Sequence, residues 1–295
     1  MHVLLSGASG FLGSACVDLI RRFPEIELSV VRSSRAECVL PLGSREIFLI
    51  DPSDFSSLQK QIGMRRPTHI IHTAALSSSA ACEQSPQSAW DSNVSFTETL
   101  VNLAISCDAH ISFTSTDLVF DGMHAPVGGF TEADVPRPVS VYGRTKHEAE
   151  LRVTSYERSC VVRLALLYGH SLSRSRGVLG WMEDTLHARE ELPLFIDEAR
   201  TPVHVADAAR ALLELSRRSE SGTWHCGGPE RLSRYDFGVA VAEALGYESS
   251  LIRAAHRREL PSHPARPEDV SLNSEKLWSS SDDPPKTVAK ALAEE

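Results

Sequence analysis

The sequence predicts an α/β fold, a doubly wound parallel sheet with a small mixed α/β domain on its C-terminal side. Three observations predict it. Short, continuously apolar runs alternate with longer amphipathic ones through the first half, a glycine-rich turn joins the first of each, and after Gly169 the alternation gives way to shorter, irregular segments. The first strand spans 2–6, where Val3, Leu4 and Leu5 are apolar without alternation, as in a sheet covered on both faces. A helix over 10–22 follows the glycine turn. Strands over 27–32 and 46–50 come next, then a helix over 53–63, a strand over 68–73, a helix over 88–106 and a strand over 110–115. A helix over 141–156 leads into a sixth strand over 159–167. Beyond a polar loop at 171–176, the pattern predicts a helix near 179–189 and short strands near 193–196 and 201–204. A strongly periodic helix over 205–217, a strand over 222–226 and a helix over 233–245 follow. Residues 266–277 look irregular, and Pro284-Pro285 breaks the chain before a last short helix. The change of rhythm sets a boundary near 165–175. It separates residues 1–168 from a second domain over 169–295, with later segments near 203–226 packing back on the first.

At 295 residues and 32.3 kDa the chain has room for a large core. Its 42% hydrophobic, 23% charged and 6% aromatic residues exclude a disordered or fibrous chain. No apolar run reaches the ~18–20 residues of a membrane span, and the N-terminus lacks the pattern of a signal peptide. A formal charge of −9 argues against a nucleic-acid partner. The six cysteines are scattered without a CxxC pair, which suits reduced thiols and a cytoplasmic location.

Strand 2–6 runs into Ser6-Gly7-Ala8-Ser9-Gly10-Phe11-Leu12-Gly13, a GxxGxxG between strand and helix. Glycine there permits a tight turn and close backbone approach to a pyrophosphate, and the helix start offers N–H groups to the anion. This is a Rossmann-type dinucleotide site, with Gly7, Ser9, Gly10, Phe11, Leu12 and Gly13 as its cradle. An NAD site usually carries an acid at the end of the second strand, ~20 residues on. Here that end reads Val31-Arg32-Ser33-Ser34-Arg35, so Arg32 and Arg35 point to a 2′-phosphate and to NADP(H) over NAD(H). Asp51, closing the third strand, is placed either to contact the adenine amino group or to cap the following helix.

Tyr142-Gly143-Arg144-Thr145-Lys146 is YxxxK on a predicted helix, where i and i+4 share a face. An ammonium there stabilises phenolate and lowers the phenol's pKa toward working pH. Upstream, Ser115-Thr116-Asp117 ends a strand at the sheet edge where ligands bind, and Thr116 can hydrogen-bond the same carbonyl oxygen.

These motifs, with Val119-Phe120-Asp121-Gly122, His72-Thr73-Ala74-Ala75, Cys82-Glu83, Asn93, Arg163, Leu167-Tyr168-Gly169, Arg200-Thr201-Pro202 and Arg266-Pro267, span nearly the whole chain. Together they make the sequence resemble the extended short-chain dehydrogenase/reductase superfamily, in its dTDP-4-dehydrorhamnose reductase-type branch. The resemblance implies an NADPH-dependent reductase of a keto group, with the 4-keto group of a nucleotide-linked deoxysugar as the leading substrate. Tyr142 would be the general acid. Lys146 would lower its pKa and hold the nicotinamide ribose, Thr116 would orient the substrate oxygen, and Asn93 matches a proton-relay position or makes a local helix hydrogen bond. Thr73, Ala74 and Ala75 would touch the cofactor, and Leu76, Leu118, Leu166 and Arg266 the substrate. The branch's dehydratases place Asp-Glu after the threonine. Here Asp117-Leu118 stands, and leucine transfers no protons. Leu118 and Leu166 replace a Tyr and a Trp usual in the reductases, which leaves the sugar undefined. An epimerase and a cofactor-binding regulatory subunit are the alternatives. His69 and His72 lie three apart on a strand and point to opposite faces, so no metal is expected. Trp181 and Trp224 should fill a core or pocket walls. The partner is a small molecule, and a homodimer stays open.

Overall fold

The computed structural model describes residues 1–33, 47–50, 66–172, 177–259, 266–279 and 281–295. Seven parallel strands form the central sheet: β1 (His2–Ser6), β2 (Glu27–Ser33), β3 (Ile47–Ile50), β4 (His69–His72), β5 (His110–Thr116), β6 (Ser159–Leu164) and β7 (Gly222–Cys226). Their order is β7-β6-β5-β4-β1-β2-β3. The chain winds outward from β1 to β3, then crosses back to β4 beside β1. That reversal opens a crevice at the carboxyl ends of β1 and β4, where open α/β sheets bind ligands.

Alternate side chains of each strand enter opposite cores. Val3 and Leu5 of β1 pack with Val17 and Ile20 of helix α1 (Phe11–Ile20), whereas Leu4 faces the other layer. There Leu100 and Leu103 of α2 (Phe96–Cys107) and Ala149 and Val153 of α3 (Val141–Thr154) cover Ile70 and Phe113. A smaller third core joins α4 (Gly177–His187), strands Leu192–Phe195 and Ile252–Ala255, and α6 (Arg234–Ala244), through Leu179, Met182, Phe237 and Val241. Between them in the chain, α5 (Val205–Arg217) returns to the main sheet against α1, and β7 pairs with β6 in parallel. No helix among the described residues is long and apolar enough to cross a membrane.

Three expectations change. The strand predicted over 159–167 stops at Leu164. Ala165 then donates to the Cys226 carbonyl, and Leu167–Tyr168 forms a separate two-stranded pairing with Val203–His204. The helix predicted over 88–106 is a short helix Pro86–Trp90, a π-helical turn Asp91–Ser95, and α2. Trp181 is 49% exposed, because Leu179, Met182 and Leu186 take the buried stripe of α4 and position 181 falls off it. The helix predicted over 53–63 lies outside the described residues.

Leu212 of α5 is fully buried in the core shared with α1. Leu212→Ala removes that packing and leaves a cavity, so stability to urea should fall by about 2–5 kcal/mol.

Candidate active site

The glycine turn is held by contacts no other residue allows. Gly7 has φ +76°, and a Cβ there would lie 2.6 Å from the Ala74 nitrogen; one on Gly13 would lie 2.0 Å from the Gly7 carbonyl. The Thr73 hydroxyl donates to the Ser6 carbonyl at 2.8 Å, locking the exit of β4 to that of β1. Helix α1 starts at an N-cap glycine, Gly10, without a side-chain cap and without an acid in its first turn. Its positive end is therefore left for an anion, and the donor set suits a pyrophosphate.

That end opens on a cavity of about 670 Å³. Its walls bring together Gly7, Ser9, Gly10, Phe11, Leu12, Gly13, Thr73, Ala74, Ala75, Leu76, Thr116, Tyr142 and Lys146. Three residues expected against substrate do not line it. Leu118 packs on the core under α1, Leu166 packs on the third core, and Arg266 is half-exposed over the Phe195 ring, 3.5 Å from Glu198. Arg32 lies in β2, and its side chain, with Arg35 and Asp51, falls outside the described residues.

Thr116 caps the one-turn helix Asp117–Val119, its hydroxyl accepting from the Leu118 nitrogen at 3.2 Å and donating to Asp117 Oδ1 at 3.1 Å. Helix α3 starts against this turn. Ser140 caps it by accepting from the Gly143 nitrogen, and Glu83 accepts from the Val141 nitrogen at 2.7 Å. A Cβ on Gly143 would stand 2.3 Å from the Leu118 carbonyl, so only glycine lets the helix come this close. Lys146 is buried, its Nζ 4.0 Å above the Phe113 ring. Burial brings its pKa down to about 7, with Glu150 opposing. Burial, and then the Asp117 carboxyl, push the Tyr142 phenol up. Lys146 is not among the groups that move the phenol in this structure. Both groups are desolvated, and a lysine near 7 carries only part of its charge at neutral pH.

Asn93 sits in the π-helical turn and is fully buried. Its Oδ1 accepts from the Leu76 nitrogen at 2.8 Å, while Nδ2 donates to the Leu76 carbonyl at 3.2 Å and to Thr145 Oγ1 at 3.0 Å. It makes no intrahelical side-chain bond; it staples the cavity wall after β4 to α3. Behind it a polar chain runs from Ser6 Oγ to His72 Nδ1 (2.6 Å), from His72 Nε2 to Thr97 Oγ1 (2.9 Å), and on to the Asn93 carbonyl (2.7 Å). Since Thr97 donates onward, His72 gives Nε2–H to it and accepts at Nδ1, and burial, with Lys146 nearby, keeps the ring neutral.

Two buried ionic groups were not singled out from sequence. Glu150 receives Arg163 bidentately, at 3.0 Å from Nε and 2.8 Å from Nη2. On the far side of Thr116, Arg200 lies 3.7 Å from Asp117 and 3.3 Å from Glu198, with Arg234 4.0 Å from Glu198. Burial raises the Asp117 carboxyl to about 6 despite Arg200. Helical spacing was the available signal for Glu150, four residues past Lys146. The Asp117–Arg200 contact spans 83 positions and left none.

The family described as RmlD substrate binding domain matches residues 1–294. A probable low-salt glycan biosynthesis reductase of Haloferax volcanii (Agl14) is 30% identical over 278 residues, 92% of this chain and 90% of that protein. Methionine adenosyltransferase 2 subunit beta of Rattus norvegicus is 27% identical over 287 residues, 94% of this chain and 81% of the subunit. Among solved structures, a dTDP-4-dehydrorhamnose reductase from Clostridium acetobutylicum is 25% identical with a TM-score of 0.84, covering 100% of this chain and 98% of its own. A dTDP-4-dehydrorhamnose reductase from Bacillus anthracis in complex with NADP shares the fold at 21% identity and a TM-score of 0.83, over 99% and 97% of the two chains.

Asn93→Ala removes three hydrogen bonds and should cost about 2–3 kcal/mol, at roughly 1 kcal/mol each, measurable by urea unfolding. Loss of less than 0.5 kcal/mol would mean that Leu76 and α3 are held independently of it.

Proposed function

The chain belongs to the RmlD substrate binding domain family, within the extended short-chain dehydrogenase/reductase superfamily, and from that membership we propose that it is an NADPH-dependent reductase of a keto group. The leading substrate is a nucleotide-linked 4-keto deoxysugar. The observation that carries the reading is the meeting of Thr116, Tyr142 and Lys146 in one cavity with the uncapped end of α1. In this reading residues 1–168 hold the cofactor and 169–295 the substrate.

The glycine turn and the first N–H groups of α1 would hold the dinucleotide's pyrophosphate, Thr73, Ala74 and Ala75 would line its path, and Lys146 would hold the nicotinamide ribose. That cofactor, when bound, supplies a hydride to the carbonyl carbon. Tyr142 gives its phenolic proton to the carbonyl oxygen, so C=O becomes CH–OH, and the Thr116 hydroxyl orients that oxygen. The raised phenol keeps its proton at neutral pH, and Lys146, where it carries its charge, would ease that proton's release. Leu118, beside Asp117, offers no second proton-transfer group for water elimination. Arg32 and Arg35, with no acid between them, support a 2′-phosphate and hence NADP(H), and the Bacillus anthracis structure of this fold is an NADP complex.

The likeness to a methionine adenosyltransferase subunit supports a second reading, a cofactor-binding subunit of a hetero-complex. Such a role needs the α1 end but not a protonated Tyr142.

Two measurements test this. NADPH oxidation over 4-keto-6-deoxy sugar nucleotides and bulky ketones should show turnover that Tyr142→Phe abolishes while NADPH binding persists. Binding without turnover on any substrate would favour the subunit. Arg32→Ala should weaken NADPH by roughly 1–3 kcal/mol more than NADH, in equilibrium titrations. Equal losses would remove the preference.

A further inference from the structure

Lys146 and Glu150 stand four residues apart on α3, the spacing at which a lysine and a glutamate pair across a helix face. They do not pair. No carboxylate among the described residues lies within ion-pair distance of the Lys146 ammonium, which faces the Phe113 ring of β5 instead. Glu150 is committed elsewhere. Both of its oxygens are taken by Arg163 of β6, and His147 Nδ1 stands 3.5 Å from Oε2.

Arg163 itself has no freedom to let go. Its Nη1 lies 3.3 Å from His225 Nε2, and its guanidinium stacks 5.2 Å from the Phe120 ring. His225 Nδ1–H donates to the Phe130 carbonyl at 3.0 Å, so its Nε2 lone pair accepts from Arg163. Burial pulls this imidazole down and keeps it neutral. Glu150 and Arg163 are each about 5% exposed, so neither is satisfied by solvent.

We propose that Arg163 is a positioning residue which, by gripping both oxygens of Glu150, keeps that carboxylate off Lys146 and so leaves the ammonium turned into the cavity. The consequence for turnover rests on the reductase reading; the effect on Lys146 does not. The groups facing Lys146 are Tyr142 and Glu150 on its own helix, the neutral His72 of β4 and Phe113 of β5, with Arg163 of β6 behind Glu150. Burial alone pushes the Glu150 carboxyl up, but hydrogen bonds from His147 and Arg163 bring it to about 2, so it is a full negative charge throughout the working range. Lys146 has its pKa lowered to about 7. It is therefore an ammonium below pH 7 and loses that charge as pH rises through 7. A freed Glu150 would hold the proton on; removal of Glu150 would release it earlier.

The chain has five lysines, Lys60, Lys146, Lys276, Lys286 and Lys290, so the Lys146 resonance can be followed by 13C NMR of labelled lysine with no substrate present. Arg163→Met should raise its midpoint by about one unit, the effect of an opposite charge within ~4–6 Å. Glu150→Gln should lower it, and the double variant should not show the rise. Where turnover is measurable, the alkaline limb of kcat/KM should move with the midpoint in each variant. Should Arg163→Met fail to fold, Arg163→Lys carries the test. A single ammonium cannot hold both oxygens, and the midpoint should rise part of the way. An unchanged Lys146 midpoint in a folded Arg163 variant, or a rise that persists without Glu150, would overturn the proposal. NMR shifts as stated with no turnover on any ketone would sink the reductase reading and leave this one standing.

Discussion

A hydrogen atom in place of a methyl group decides whether this cleft exists. Helix α3 can present a phenol and an ammonium beside Thr116 only by pressing its first turn onto the Leu118 carbonyl, and Gly143 is the residue that permits it. The same economy operates across the crevice, where Gly7 and Gly13 let α1 meet the exit of β1 and β4. Two helix starts are thus brought to one gap in the sheet by backbone contact. Capping follows from the same geometry. Ser140 and Glu83 satisfy the start of α3, which must be fixed, while the start of α1 is left to a ligand.

Desolvation governs the charges in this gap. Lys146, Asp117 and Tyr142 all shift toward their neutral forms, and in each case burial is the leading cause. Glu150 escapes this by being gripped at both oxygens; Glu198 is buried among three guanidiniums. Removing one partner from such a pair costs about 3–5 kcal/mol, because the other is left buried and uncompensated. The ionic groups around the cleft are therefore not interchangeable with surface pairs such as Arg22–Asp18, which contribute little.

Much of this was legible in the residues. Continuous apolar strands and a glycine turn lead to a parallel doubly wound sheet, and Thr116, Tyr142 and Lys146 do share one cavity. What the sequence hid is of two kinds. Local departures such as the π-helical turn at Asp91–Ser95 carry no periodic signature, since one widened turn leaves the apolar spacing on either side intact. It nonetheless turns Asn93 inward to bridge Leu76 and Thr145. Long-range pairings such as Asp117–Arg200 join positions 83 residues apart, which no local pattern encodes. The family resemblance implies aromatic residues at the places of Leu118 and Leu166. In this chain their shorter side chains find room in adjoining cores instead of in the cavity wall.

The two functional readings make different demands on the same scaffold, and the energetics distinguish them. A subunit that only binds a dinucleotide uses the α1 end, the wall at Thr73–Ala75 and an ammonium for the ribose. It gains nothing from an Asp117 carboxyl buried beside Thr116, raised to about 6 and paired with Arg200. Burial disfavours its charged form, which is why the carboxyl is raised to about 6 even beside Arg200. Besides pushing the Tyr142 phenol up, it orients the Thr116 hydroxyl by accepting its proton, leaving the oxygen's lone pairs for the Leu118 nitrogen and for the cavity. An arrangement that spends buried charge to aim a hydroxyl beside a protonated phenol serves the polarisation of a substrate oxygen, which supports the reductase over the subunit.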